Sequence, residues 1–216
     1  MDKKTIVIVG AGVGVSSGVA RVFGRRGFRV VLVSRSEEAL AGHVRSLASQ
    51  DIEAYGLTAD ATDPHSLQAV FERIRSQYGV PDTLVYNAAV IRGGTASTLT
   101  ENQLLDDLKV NVVGALSSAR QVIPDFVARG SGTILFTGGG LAHHPSADYA
   151  SLSIGKAAMR SLVYTLGDEL APQGIYVGTV TIAGSVKEGT HFDPDRIGQV
   201  YWEMYEKREE REFIYQ

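Results

Sequence analysis

The sequence predicts an α/β fold, a doubly wound parallel sheet of about seven strands with helices on both faces. Two observations carry this reading. Short β-branched runs alternate with longer segments of helical period, and a glycine-rich turn follows the first run, where a strand hands over to a helix. No internal repeat, low-complexity tract or long Pro/Gly linker interrupts the alternation, so residues 1-216 read as a single domain.

Taken in order, Thr5-Val9 is an apolar run of strand length, and a helical stretch covers Val15-Arg26. Arg29-Val33 is the second strand, followed by a helix over Glu37-Ser49, a strand over Glu53-Leu57 and a helix over Pro64-Tyr78. Thr83-Tyr86 is the fourth strand, and one long helix is expected over Glu101-Arg129. Thr133-Thr137, a helix over Ala147-Ala171, the strand Tyr176-Ile182, a helix over Asp195-Lys207 and a last strand Glu212-Tyr215 complete the pattern. Gly24, Gly27, Gly130 and Gly174 fall between helix and strand, where a helix end commonly needs a left-handed residue.

The 216 residues are 44% hydrophobic, enough for a sizeable core. A formal net charge of -3, with both signs spread along the chain, offers neither a basic stripe for nucleic acid nor a polybasic cluster for an anionic membrane. Partners are therefore expected to be small molecules or further copies of the chain. The absence of cysteine removes disulfides, thiolate nucleophiles and thiolate metal sites, and no metal site is expected elsewhere. After Met1-Asp2-Lys3-Lys4, the apolar run is too short for a signal-peptide core or a membrane span, and a cytoplasmic location is expected.

Behind the first strand stands Gly10-Ala11-Gly12-Val13-Gly14-Val15-Ser16. Glycines here let the backbone turn and approach a pyrophosphate, whose charge a helix N-terminus stabilises. Gly10, Gly12, Gly14, Val15 and Ser16 are thus candidate cofactor-binding residues of a Rossmann-type domain. At the end of the second strand, Ser34-Arg35 stands where this fold meets the adenosine ribose. No carboxylate is present to bond a ribose 2'-hydroxyl, and the Arg35 guanidinium suits a 2'-phosphate, so NADP is favoured with NAD possible.

These features, taken with landmarks further along, resemble the short-chain dehydrogenase/reductase family, whose glycine pattern is Gly-x-x-x-Gly-x-Gly. Gly10 and Gly14 match it, while Ser16 replaces the third glycine. The resemblance implies that Asp60 and Ala61, Asn87 and Ala88 contact the adenosine half, and that Gly184 and Val186 in Ala183-Gly184-Ser185-Val186 lie beside the nicotinamide. Asn111 matches the helix asparagine that supports a proton-relay water, and Lys156 the catalytic lysine. On their residues alone, Asp60 and Asp63 also suit turn and cap positions, and Lys156 an ordinary helix lysine.

The pattern breaks where the family places its proton donor. Counting from Lys156, the tyrosine position is Leu152 and the serine position Gly139. Tyr149 lies on roughly the same helix face as Leu152, although about 10 Å of helix rise separates it from Lys156. His143 and His144 follow the glycine run as further candidate acids. Val186 to Asp195 leaves only a short lid. The resemblance implies an NADP(H)-dependent oxidoreductase with a non-standard active site, acting on a carbonyl, alcohol or activated double bond. Asn111, Lys156 and Tyr149 are its candidate catalytic residues. The alternative is a catalytically silent NADP(H)-binding module. The family's habit of pairing long helices implies a homodimer or homotetramer.

Overall fold

The computed structural model describes residues 3–216; Met1 and Asp2 of the expected N-terminal lead-in lie outside the described residues. Seven strands form one parallel sheet: β1 Thr5–Val9, β2 Arg29–Ser34, β3 Ala54–Thr58, β4 Thr83–Tyr86, β5 Gly132–Gly139, β6 Ile175–Ile182 and β7 Glu212–Tyr215. Their order is β3-β2-β1-β4-β5-β6-β7, so chain direction across the sheet reverses between β1 and β4. Open α/β sheets form their ligand crevice at such a point, outside the carboxyl ends of the strands.

Side-chain alternation along the strands divides the core in two. On one face Val7 and Val9 pack with Phe71, Phe126 and Met159, under helices α3 Pro64–Tyr78, α5 Gly114–Arg129 and α6 Ala150–Leu170. On the other, Ile6 and Ile8 pack with Phe23, Leu40 and Tyr201, under α1 Val15–Arg25, α2 Glu37–Ala48 and α7 Pro194–Lys207. A strand buried on both faces must be apolar throughout, which is why β1 reads as an unbroken apolar run.

Three sequence expectations need correction. The helix expected over Glu101-Arg129 is α4 Glu101–Leu108, a π segment Lys109–Val113, and α5. The wider turn is met by other elements: the Tyr86 hydroxyl of β4 donates to the Val110 carbonyl, and Asn111 Oδ1 accepts from the Val90 N–H at 2.8 Å. The helix expected from Ala147 begins at Ala150, because Tyr149 takes non-helical angles as its cap. Gly24 lies within α1 against Ile52 rather than at its end, whereas Gly27, Gly130 and Gly174 do take positive φ.

Candidate functional site

A cavity of about 1130 Å³ opens over the carboxyl ends of the strands at the β1/β4 reversal. Its floor is the turn after β1. Gly10 has φ 86°, and a Cβ there would lie 2.2 Å from the Ala88 nitrogen, so neither conformation nor space admits another residue. Gly14, at φ 91°, caps α1 with no side-chain hydrogen bond to the helix N-terminus and no acidic residue in its first turn. Those amides therefore keep their positive end for a ligand. Space above Gly12 is open.

Ser16 does not line the cavity. Its hydroxyl donates to the Gly12 carbonyl and accepts from the Gly12 N–H, both at 2.8 Å, so it fastens the loop from beneath. Where the family brings helix and strand together with a third glycine, this chain has a second close approach two residues on. A Cβ on Gly18 would lie 1.8 Å from the Pro194 carbonyl oxygen, and one on Gly198 2.7 Å from Gly18.

Ser34, Arg35, Asp60 and Ala61 line the far end of the cavity. The Ser34 Oγ is buried with no hydrogen-bond partner among the described residues. Thr62 donates from its backbone N–H and its hydroxyl to Asp60 Oδ1, at 2.9 and 2.8 Å, and these bonds hold the carboxyl below its ordinary range. Asp63 serves instead as the N-cap of α3.

Above the centre of the sheet, a polar chain ties the cavity wall together. Tyr201 and Thr137 share a hydroxyl bond of 2.6 Å, Thr137 Oγ1 donates to Asn87 Oδ1 at 2.9 Å, and Asn87 Nδ2 donates to the Gly10 carbonyl at 3.0 Å. Lys156 Nζ donates to the Thr137 backbone carbonyl at 2.7 Å. This lysine is 8% exposed and no carboxylate pairs with it among the described residues. Burial lowers its pKa from 10.5 to about 8. Thr137 escaped the sequence reading; the available signal was a hydroxyl at the carboxyl end of a strand next to the reversal.

Leu152, one helical turn before Lys156, also lines the cavity. Gly139 faces the lysine stem: a Cβ there would lie 3.4 Å from Lys156 Cε, in ordinary contact. Asn111 and Tyr149 do not line the cavity. Asn111 is clamped to both backbone polar groups of Val90, and Tyr149, at 41% exposure, pairs as an isolated bridge with Gly94. Ser151 donates to Asp107 Oδ2 at 2.7 Å, away from the cavity. Tyr201 is 0% exposed, and burial pushes its phenol pKa up. Neither hydroxyl reaches the cavity wall.

The rim is formed by Ile91, Leu141, His144 and the segment containing Gly184, Val186, Lys187 and Glu188. His143 instead turns to Glu212, at 2.8 Å. The short segment before α7 is pinned by β7: the Tyr215 hydroxyl donates to the His191 carbonyl at 2.6 Å, and the His191 and Tyr215 rings stack. Among the described residues, no group of three or more His, Cys, Asp or Glu could hold a metal ion, and no helix is long and apolar enough to cross a membrane.

Sheet order and cavity together define a Rossmann-type α/β protein with a crevice at the reversal point. The chain belongs to the short chain dehydrogenase family, whose model matches residues 4–192. A Streptomyces coelicolor protein named "Putative ketoacyl reductase" is 31% identical over 201 residues, covering 87% of this chain and 75% of that protein. The solved structure of actinorhodin polyketide ketoreductase with NADPH is 27% identical, covers 97% of this chain and 79% of that one, and superposes with a TM-score of 0.83. A metagenomic short-chain oxidoreductase in complex with NADP shares the fold at TM-score 0.90 and 24% identity, covering 99% and 97%.

Proposed function

We propose that the chain is a single-domain, NADP(H)-dependent oxidoreductase that transfers hydride to or from a carbonyl, alcohol or activated double bond, with a non-standard proton donor. The observation that carries this reading is one cavity that joins an uncapped helix N-terminus, the partnerless Ser34 hydroxyl beside Arg35, and the buried amine of Lys156. Open space above Gly12, beside the α1 N-terminus, fits a pyrophosphate, and the Arg35 guanidinium with the unpartnered Ser34 hydroxyl behind it fits a ribose 2'-phosphate. When bound, the cofactor supplies the hydride chemistry. The chain's residues hold and orient it: Gly10, Gly12, Gly14 and Val15 at the pyrophosphate, Ser34 and Arg35 at the 2'-phosphate, and Asp60, Ala61, Asn87 and Ala88 along the adenosine half. Gly184 and Val186 border the nicotinamide end, with Lys156 supplying positive charge opposite the substrate oxygen. The named ketoacyl reductase relative and the NADPH-bound ketoreductase support a ketone substrate. Asn111 is assigned a positioning role, through Val90. Tyr149 takes no proton-transfer role in this reading, because it stands outside the cavity. A cytoplasmic homodimer or homotetramer completes the proposal.

NADPH is expected to bind more tightly than NADH, and Arg35→Ala to lose about tenfold in NADPH affinity, on the scale of one exposed charge-assisted contact. Equal affinities of the wild type for both cofactors in a fluorescence titration would contradict the assignment. An acidic residue in place of Ser34 is expected to shift the preference toward NADH.

A second reading, a silent NADP(H)-binding module, is favoured specifically by Leu152 and Gly139, which carry no transferable proton. Leu152→Tyr combined with Gly139→Ser separates the two. The backbone at Gly139 is extended and a Cβ there would make only ordinary contact with the Lys156 stem, so a serine at this position is sterically tolerated. The double variant is expected to raise ketone reduction above that of the wild type. A wild type that already reduces ketones as fast as the double variant would show that no donor is missing.

A further inference from the structure

We propose that the Lys156 ammonium is itself the proton donor of the reaction; this rests on the oxidoreductase reading above. An ammonium carries three N–H bonds, and one is given to the Thr137 carbonyl. Lys156 lines the cavity, and of the preceding turn of α6 only Leu152 does so too; Ser153 lies off the cavity, its hydroxyl given to the Tyr149 carbonyl at 2.8 Å. Gly139 leaves the side of the lysine stem uncovered where a serine would otherwise lie. No hydroxyl therefore stands between this amine and a substrate oxygen in the way that a tyrosine at Leu152 would.

The charged groups on the neighbouring helices and strands are already engaged. Asp107 of α4 is held by Arg92 at 2.9 Å and by Ser151 at 2.7 Å. Lys109 of the π segment pairs with Asp106, and Asn111 holds Val90. Glu212 of β7 is shared by Arg160 of α6 at 2.7 Å and His143 at 2.8 Å. Strand β5 carries no ionisable side chain, and β6 carries only Tyr176, at its opposite end. Desolvation is accordingly what lowers the lysine pKa, to about 8, within reach of neutral pH. His144, Lys187 and Glu188 are the exposed titratable side chains on the rim, and of these His144 is the competing acid.

The step balances in atoms and electrons. As the carbonyl carbon accepts the hydride of the reduced nicotinamide cofactor, its π pair moves to oxygen. A Lys156 N–H bond then breaks, the proton goes to that oxygen, and the electron pair stays on nitrogen. Water reprotonates the neutral amine. Reduction thus requires the ammonium and is lost as pH rises through about 8; oxidation requires the amine and appears over the same interval.

Two measurements test this. Pulse acetylation of the wild type with limiting acetic anhydride, at pH values between about 6 and 11 and with and without NADP⁺, reads the Lys156 amine by peptide mass spectrometry. Half-maximal reactivity near pH 8 is expected, and a midpoint near the ordinary 10.5 overturns the proposal. NADPH-dependent reduction of ethyl acetoacetate is the second readout. Lys156→Arg keeps the cation but holds its proton at working pH, so a loss of about a hundredfold or more is expected. The loss counts only with an unchanged circular dichroism spectrum and retained NADP⁺ binding. Turnover that survives in Lys156→Arg, or a pH profile that moves with His144→Gln, overturns the donor assignment alone. A wild type that binds NADPH but never transfers hydride overturns the oxidoreductase reading and the donor assignment together.

Discussion

Lys156 carries a buried charge with no carboxylate partner among the described residues, and that arrangement costs stability. Because its folded pKa is depressed to about 8 from 10.5, the penalty is fully present below pH 8 and disappears as pH rises through 10.5. Lys156→Met is therefore expected to stabilise the protein at pH 7 by about 2 kcal/mol, after allowing about 1 kcal/mol for the lost bond to Thr137. Urea unfolding at two pH values checks it: the advantage of methionine should shrink in alkaline solution, and an equal advantage at both pH values contradicts the origin assigned here. That Gly10, Gly14, Arg35 and Lys156 would share one crevice was legible in the sequence, because a turn, a charge and a motif spacing each leave a local trace. Spacing alone did not show that Ser16, Asn111 and Tyr149 stand outside the cavity lining. Their positions depend on the Gly12, Val90 and Gly94 backbones, contacts that only the folded chain supplies.

At the scale of elements, the tightest approach of a glycine to another backbone lies where α1 crosses α7. Gly18→Ala must push its new Cβ away from the Pro194 carbonyl, and a loss of about 3 kcal/mol is expected despite the better helix propensity of alanine. Gly42→Ala, in α2 with open space around it, should instead gain about 1 kcal/mol. Thermal or urea unfolding of both variants checks the pair, and similar effects for the two would contradict the close approach. Strands β1, β4 and β7 and helix α3 have the limits that periodicity implies, because alternation, apolar runs and Asp63-Pro64 are local signals. The π segment has no such signal. It arises from Tyr86 and Asn111 reaching across to other elements, and periodicity along one helix does not register that.

For the whole molecule, the parallel sheet was legible from the alternation of elements, and its reversal between β1 and β4 places the glycine turn, Asn87, Thr137 and Lys156 around one crevice. Helices α4, α5 and α6 expose Leu105, Leu116 and Ile154. Light scattering is expected to give the mass of a dimer or tetramer, reduced by Leu105→Glu with Leu116→Glu. A monomeric wild type at micromolar concentration contradicts this expectation. Hydride transfer itself is read from the fate of an isotope. Wild-type protein is incubated with ethyl acetoacetate and NADPH bearing deuterium at nicotinamide C4, with each face labelled in separate reactions. Mass spectrometry is expected to find deuterium on the carbinol carbon of the product from one label only; bound NADPH with no deuterated alcohol from either label would contradict the account.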